Sequence, residues 1–324
     1  MQQKEILISV VIPVKNGAPW LHQCLQGIIG QTLFNKTEII VVDSGSTDDT
    51  AEILQQYPVQ VVSINPAEFN HGLTRNHALQ FCKGSYVVMT VQDAWPTGEN
   101  WLQKLLDGFI GDDVAAVCGQ QVVPHDRAMN PIQWFRPVNS GSITKYNFES
   151  ASAFDALSPL QKKTVCGWDN VTSCYRKSAL KETPFREVVF AEDALWAMDA
   201  LRKGYSIVYN TNARVYHYHH ENVDFTFRRC LTEFYFRYIY FGYLPNTVKP
   251  GFIAKARMLK TLMKEKIPVK EKIYWWKYNM NCYHACIKAY DLFVAAVNNC
   301  NEAVEALHNK YCSTSPMSTQ RENA

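Results

Sequence analysis

Glu38-Ile39-Ile40-Val41-Val42-Asp43-Ser44-Gly45-Ser46-Thr47-Asp48-Asp49 is the stretch from which the rest of the chain can be ordered. Four consecutive β-branched residues, Ile39 to Val42, predict a strand covered on both faces. The run stops at Asp43 and passes through a Ser/Gly/Thr/Asp loop able to cap a helix predicted at 49–57. The same alternation repeats on either side. Residues 6–13 predict a strand and 18–30 a helix, with Trp20, Leu21, Leu25, Ile28 and Ile29 at near-helical spacing. Further strands are predicted at 59–64, 86–91 and 115–123, with helices at 73–82 and 101–109. Strands alternating with helices through short loops imply an α/β fold, a mostly parallel sheet flanked by helices. Ligands of such sheets sit at the carboxyl ends of the strands, which is where Asp43, Gln92 and Asp93 fall.

Beyond residue 124 the pattern weakens. Pro124, Pro131, Pro137 and Pro159 break it, and 124–164 reads as a loop-rich insert with one or two short helices. A strand is predicted at 171–175, a helix at 192–203 with Gly204 as its cap, and two short strands at 205–209 and 215–217. Residues 225–244 then carry nine aromatics among Arg228, Arg229 and Arg237. Basic or amphipathic helices are predicted at 255–266 and 270–310. The expected domains are 1–224, a nucleotide-binding α/β domain, and 225–312, a basic, aromatic-rich helical appendage, with 313–324 a disordered tail.

The 324 residues have a net charge of +3, which argues against a strongly basic nucleic-acid coat. That total hides an asymmetry. Residues 225–312 hold 14 Lys/Arg and 6 Asp/Glu, a net of +8, so the remainder carries −5. No segment reaches the roughly 18 consecutive apolar residues that span a bilayer. The N-terminus runs straight into a strand-like stretch without a basic-then-apolar leader, so a cytosolic chain is expected. Ten cysteines, none in a CxxC pair, read as small reduced hydrophobes rather than zinc ligands.

Several polar groups could carry chemistry. Asp43 at a strand end can accept a hydrogen bond from a base or ribose, or serve as a loop cap. Arg75, in the first turns of a helix, suits a diphosphate or a carboxylate such as Asp43 or Asp93. Asp93 at a strand tip is placed to hold Mg²⁺ or Mn²⁺. Glu192 and Asp193 open a helix. Either both answer the helix dipole, or one faces the scaffold and the other is a general base. Alternate residues of a strand share a face, so His217 and His219 would point the same way as possible metal ligands, or they are simply polar strand-end histidines. Trp95, Trp168 and Trp196 are candidates to stack on an acceptor sugar, or core aromatics.

The ordered set Asn70-His71-Gly72-Leu73-Thr74-Arg75-Asn76, Gln92-Asp93-Ala94-Trp95-Pro96 and Ala191-Glu192-Asp193-Ala194-Leu195-Trp196 resembles the glycosyltransferase family 2 enzymes of GT-A fold, most of all the rhamnosyltransferase-type members. The resemblance covers about residues 6–235. It implies that Pro13, Val14 and Lys15 line the base pocket and that Asp43 binds the base. Arg75 would lie near base and diphosphate, and Gln92 and Asp93 would bind the nucleotide-sugar. Asp93 and His217 would hold Mg²⁺ or Mn²⁺, and Asp193 would be the catalytic base with Glu192 beside it. One departure stands out: Val91 replaces the first acid of the family's Asp-x-Asp motif.

The implied activity is inverting transfer of L-rhamnose from dTDP-L-rhamnose to a growing cell-surface glycan or lipid-linked saccharide. A UDP- or GDP-sugar donor, or a non-catalytic sugar-nucleotide-binding scaffold, are the other readings. The absence of GxGxxG after the first strand argues against a dinucleotide oxidoreductase. Residues 225–244 with 255–277 suggest peripheral contact with the cytoplasmic membrane face, or an oligomer built through the C-terminal helices.

Overall fold

The computed structural model describes residues 5–124, 129–132 and 140–312. Along the chain run β1 (Ile8–Val14), α1 (Ala18–Ile29), β2 (Thr37–Asp43), α2 (Thr50–Leu54), β3 (Gln60–Ser63), α3 (His71–Ala78) and β4 (Tyr86–Met89). Then come β5 (Ala94–Pro96), α4 (Trp101–Leu106), β6 (Val114–Val122), β7 (Ile143–Tyr146), α5 (Ala151–Asp155), α6 (Pro159–Val165) and β8 (Ser173–Arg176). The remainder is α7 (Lys177–Glu182), α8 (Glu192–Arg202), β9 (Ser206–His217), α9 (Val223–Phe241), α10 (Phe252–Lys264), α11 (Val269–Asn299) and α12 (Asn301–Cys312). The expected tail at 313–324 lies outside the described residues.

Two compact units result. One comprises 1–122 and 138–218, the other 123–137 and 219–324. The second therefore starts a few residues before the expected boundary at 225. It also takes a mid-chain segment that the sequence had placed in the first domain.

The first unit is built on a sheet of order β3-β2-β1-β4-β8-β6-β9-β5, with β7 also paired to β9. Strands β1, β2, β3, β4, β6 and β9 point the same way, while β5, β7 and β8 run antiparallel to their neighbours. The β-branched residues of β1 and β2 are shut off from water on both faces: Ile39, Ile40, Val41 and Val42 are all buried. Each such side chain contributes about 1.5–3 kcal/mol by leaving water. Helix α1 adds Leu21, Cys24, Leu25 and Ile28 on one face, and Trp101, Leu102 and Leu105 of α4 join the same core.

Two sequence expectations change. The short strands expected at 205–209 and 215–217 are one strand, β9, with an irregular middle. Its register against β6 shifts after Cys118↔Tyr209 and resumes at Gln120↔Arg214. The polar residues between, read as a break, hold the irregularity together. Asn210 Nδ2 donates to the Lys104 carbonyl, and Asn210 Oδ1 accepts from the Asn212 amide. Gly119 opposes this point, where a Cβ would lie 2.4 Å from the Ala213 carbonyl. The insert also contains a strand that sequence missed, β7. It sits at an edge with Ile143, Thr144 and Lys145 exposed, so it lacks the alternation that marks a half-buried strand. Gly204 follows the helix C-cap Lys203 with φ +85°, as a glycine just past a helix end does.

The second unit is helical. Phe227, Leu231 and Phe234 of α9 pack with Ala285, Ala289 and Phe293 of α11, and Val304 and Cys312 of α12 close the cluster. Of the nine aromatics in the run read as a candidate membrane face, Phe227, Phe234, Tyr235 and Tyr238 belong to this cluster, and Phe225, Phe236 and Phe241 are also buried. Met258 and Leu262 of α10 make a second, smaller cluster with Trp275 of α11. Among the described residues, no helix is long and apolar enough to cross a membrane.

Phe293 is 1% exposed at the centre of the helical cluster. Phe293→Ala is expected to destabilise that unit by about 3–5 kcal/mol, read as an earlier loss of helical signal in denaturant; an unchanged midpoint would contradict the packing described.

Candidate active site

The carboxyl ends of β1 and β2 lie side by side, with Val14 paired to Asp43. The loops that follow are stapled to each other. The Val14 carbonyl accepts from the Ser44 amide at 2.9 Å. Asn16, at φ +50°, donates its amide to Ser46 Oγ and accepts from the Thr47 amide through Oδ1. The Gly17 and Ala18 amides donate to Thr50 Oγ1 and Asp48 Oδ2. Pro13, Val14, Lys15 and Asp43 are thus brought together, as the sequence suggested. Asp43 is also a loop residue: its Oδ1 accepts from Ser46 Oγ at 2.6 Å and from the Ser46 amide at 3.1 Å.

Gln92 needs correction. It is 1% exposed, and its carboxamide closes a reciprocal pair with the Lys15 backbone. The Lys15 amide donates to Oε1 at 2.9 Å, and Nε2 donates to the Lys15 carbonyl at 3.2 Å. It shapes the loop after β1 rather than offering its side chain to a sugar-nucleotide.

The second wall is made where α3 meets α8. Arg75, expected beside base and diphosphate, is 3% exposed. Its Nη1 lies 2.9 Å from Glu192 Oε1 and donates to the His71 carbonyl, while its Nε has no hydrogen-bond partner among the described residues. The surrounding motif explains how α3 reaches this position. Asn70 Oδ1 caps the helix, accepting from the Gly72 and Leu73 amides, and Asn70 Nδ2 donates to the Val188 carbonyl. Asn76 exchanges two hydrogen bonds with the Phe185 backbone. Gly72 lets the backbones approach: a Cβ there would stand 2.1 Å from the Arg186 carbonyl oxygen.

Glu192 and Asp193, adjacent in sequence, have different surroundings. Burial opposes the Glu192 carboxylate, but Arg75, His71 and the amide of Asn170 outweigh it and hold its pKa below the ordinary value. Glu192 therefore faces the scaffold and positions its neighbours; it is not the catalytic group. Asp193 is half-buried, with Oδ2 accepting from the Asn170 amide and Oδ1 from the Ala194 amide. Burial, with the charges of Glu192 and Asp169 next, pushes its pKa up to about 8. Ala191, which precedes the pair, has a left-handed backbone at φ +61°, a conformation that costs an alanine on the order of 1 kcal/mol.

The third part lies where β5 pairs with the end of β9. Ala94 is in register with His217, so Asp93 comes within 3.6 Å of the ring, Oδ1 to Nε2. Gln121 fixes the ring's tautomer. His217 Nδ1 donates to Gln121 Oε1 at 2.8 Å, and the Gln121 amide group hydrogen-bonds to Asp169. Nε2 then turns its lone pair toward a carboxylate, a contact favourable only with a proton or cation between the two. Two atoms bound to one cation at about 2.1 Å each sit roughly 3–4 Å apart. A carboxylate oxygen and an imidazole nitrogen at this spacing suit a divalent cation. Strand β9 ends at His217.

Two tryptophans are removed from the acceptor site. Trp196 is fully buried with Nε1 donating to the Thr183 carbonyl, and Trp168 is 4% exposed with Nε1 on Tyr175 Oη. Their rings pack on each other, and both meet Tyr175 edge-on, leaving no face for a sugar. Trp95 is half-buried, tilted against Tyr216, and keeps that candidacy. What sequence missed is Asp169-Asn170. Asn170 donates to Glu192 and Asp193 and accepts from Tyr175 Oη, while Asp169 meets Gln121. The two residues join the carboxylate wall to the imidazole. The available signal was a pair of polar residues directly before a strand-like run.

Comparison with known proteins is consistent across sequence and fold. The Glycosyl transferase family 2 profile matches residues 9–158. The O-antigen chain rhamnosyltransferase WbaN of Salmonella anatum is 36% identical over 198 residues, 60% of this chain and 60% of that protein. The O-antigen chain rhamnosyltransferase RfbN of Salmonella typhimurium is 30% identical over 229 residues, 68% of this chain and 69% of that one. Among solved structures, the mannosyltransferase PcManGT of Pyrobaculum calidifontis, in complex with GDP-Man and Mn²⁺, gives a TM-score of 0.52 at 17% identity, covering 94% of this chain and 79% of that one. TarS 1-349 of S. aureus with UDP-GlcNAc gives 0.50 at 16% identity, covering 92% and 77%. The fold is GT-A-like.

Breaking the buried pair from one side leaves a charge without compensation. Arg75→Met is expected to cost about 3–5 kcal/mol of stability, and adding Glu192→Gln to recover part of it. A double variant no more stable than Arg75→Met would show that the two groups are not coupled.

Proposed function

Since the chain belongs to glycosyltransferase family 2, we propose that it moves L-rhamnose from dTDP-L-rhamnose to a hydroxyl of a growing cell-surface glycan or lipid-linked saccharide, inverting the anomeric configuration. The observation that carries the reading is Asp193: a carboxylate held by two backbone amides, with its pKa raised to about 8. That value puts its proton affinity in the range where a general base works well near neutral pH. The likeness to two O-antigen chain rhamnosyltransferases supports the sugar and the class of acceptor.

In this mechanism Asp193 takes the proton of the acceptor hydroxyl as its oxygen attacks the anomeric carbon. The bond from that carbon to the nucleoside diphosphate breaks on the opposite face, and the diphosphate departs with the electron pair. Pro13, Val14, Lys15 and Asp43 receive the base and ribose at the ends of β1 and β2. Gln92 holds the Lys15 backbone in place for them. Asp93 and His217 would hold Mg²⁺ or Mn²⁺, which when bound supplies positive charge to the leaving diphosphate. Val91 offers no carboxylate to such an ion. Trp95 offers a partly open ring to the acceptor.

Nucleotide and sugar are tested by thermal shift with nucleoside diphosphates and their sugars, with and without Mg²⁺ or Mn²⁺. A rise selective for the dTDP forms is expected. A rise confined to UDP or GDP forms would replace the donor, and no response to any would overturn the reading.

The base is tested by pH. Only ionised Asp193 can accept the proton, so kcat/KM should climb with pH through about 8 and level off above. Asp193→Asn should lose about 10²–10⁴-fold in turnover while still binding nucleotide. Stability should run the other way. A folded pKa of about 8 against an ordinary value of 3.8 means the folded chain keeps a proton that the unfolded chain has released. Stability from this group is then full below pH about 4 and falls until pH about 8. Asp193→Asn removes that slope, so its melting temperature relative to the parent should improve as pH rises through this window. A pH-independent difference would contradict the raised pKa.

A further inference from the structure

Helix α10 buries one apolar face and exposes another. Met258 and Leu262 are buried against Trp275. On the other side Phe252 is 85% exposed, Leu259 50% and Met263 66%. With Ala256, these positions fall at i, i+4, i+7 and i+11, one continuous stripe along the helix. Helical geometry sets Arg257, Lys260 and Lys264 along one border and Lys255 along the other. Residues 252–277 hold eight Lys/Arg and two acids, a net of +6.

An exposed apolar stripe of this kind marks a contact surface, and its borders indicate the partner. A second copy of the same face would bring cation against cation. An anionic bilayer surface satisfies both parts, with the apolar residues entering the boundary of headgroups and acyl chains and the cations meeting phosphates. The thirteen residues of α10 suit a helix lying in that plane. We propose that α10 docks the protein on an anionic phospholipid bilayer, with Phe252, Leu259 and Met263 as the inserted residues and Arg257, Lys260 and Lys264 as the headgroup contacts. This places the membrane face on α10 rather than on the aromatic run of α9, where Phe225, Phe227, Phe234, Phe236 and Phe241 are buried. It stands apart from the donor assignment, because lipid binding is read without sugar transfer.

The test is co-sedimentation of the full chain with vesicles of pure phosphatidylcholine, and with vesicles of equal parts phosphatidylcholine and phosphatidylglycerol. Binding is expected only to the anionic vesicles and should weaken as salt is raised. Two independent double variants, Phe252→Ser/Met263→Ser and Lys260→Glu/Lys264→Glu, should each lower the partition coefficient about tenfold or more. Their circular dichroism and melting should match the parent, since all four side chains are exposed. Lys36→Glu/Lys181→Glu, an equal change of charge in the first unit, should leave binding intact. Undiminished binding by the α10 variants would overturn the proposal, as would equal binding to both vesicle types. Light scattering without lipid supplies the other decisive outcome: if either α10 variant converts a dimer to a monomer, the stripe is covered by a second copy and the proposal fails.

Discussion

Arg75 and Glu192 form an ion pair withdrawn almost wholly from water, and much of the candidate site follows from keeping it. Charges in a low-dielectric interior persist only when paired and hydrogen-bonded. The His71 carbonyl and the Asn170 amide group supply the extra hydrogen bonds. Asn70, Gly72 and Asn76 bring α3 close enough to the loop before α8 for the pair to meet. The consequence falls on Asp193. Burial, with the charges of Glu192 and Asp169 next, makes a further negative charge costly there and raises the pKa of Asp193. Two adjacent acids are thereby divided into a fixed charge and a group able to exchange a proton.

This division could not be read from the chain. The order of strands and helices in the first hundred residues is legible because each strand is a local apolar run bounded by its own turn residues. The family resemblance is legible because its motifs are short and local too. The orientation of their side chains is not, since it depends on partners far away in sequence. Gln92 meets Lys15 across 77 residues, and Asn70 meets Val188 across 118. Local pattern cannot say that Gln92 is a loop clamp, that Trp168 and Trp196 are enclosed by Tyr175, or that Asn170 joins two carboxylates. β7 escaped for a simpler reason: an exposed edge strand has no buried face to imprint a period on its sequence.

On the imidazole side of the site, Val91 offers no carboxylate, so under the proposed mechanism the aim of the groups that would face a cation matters more. Gln121 sets that aim. It takes the Nδ1 proton through its oxygen and is itself held by Asp169, so the ring cannot exchange its two nitrogens without breaking hydrogen bonds on both sides.

The interrupted register of β9 decouples its two ends. Its first half carries β7, from the insert, and its last three residues carry β5 and the histidine. The irregular stretch around Asn210–Ala213 separates the two pairings, so a lengthened or exchanged insert need not transmit a slip to the other end. One strand thus works as a modular joint: the half paired with β7 and the end that carries His217 keep their registers independently.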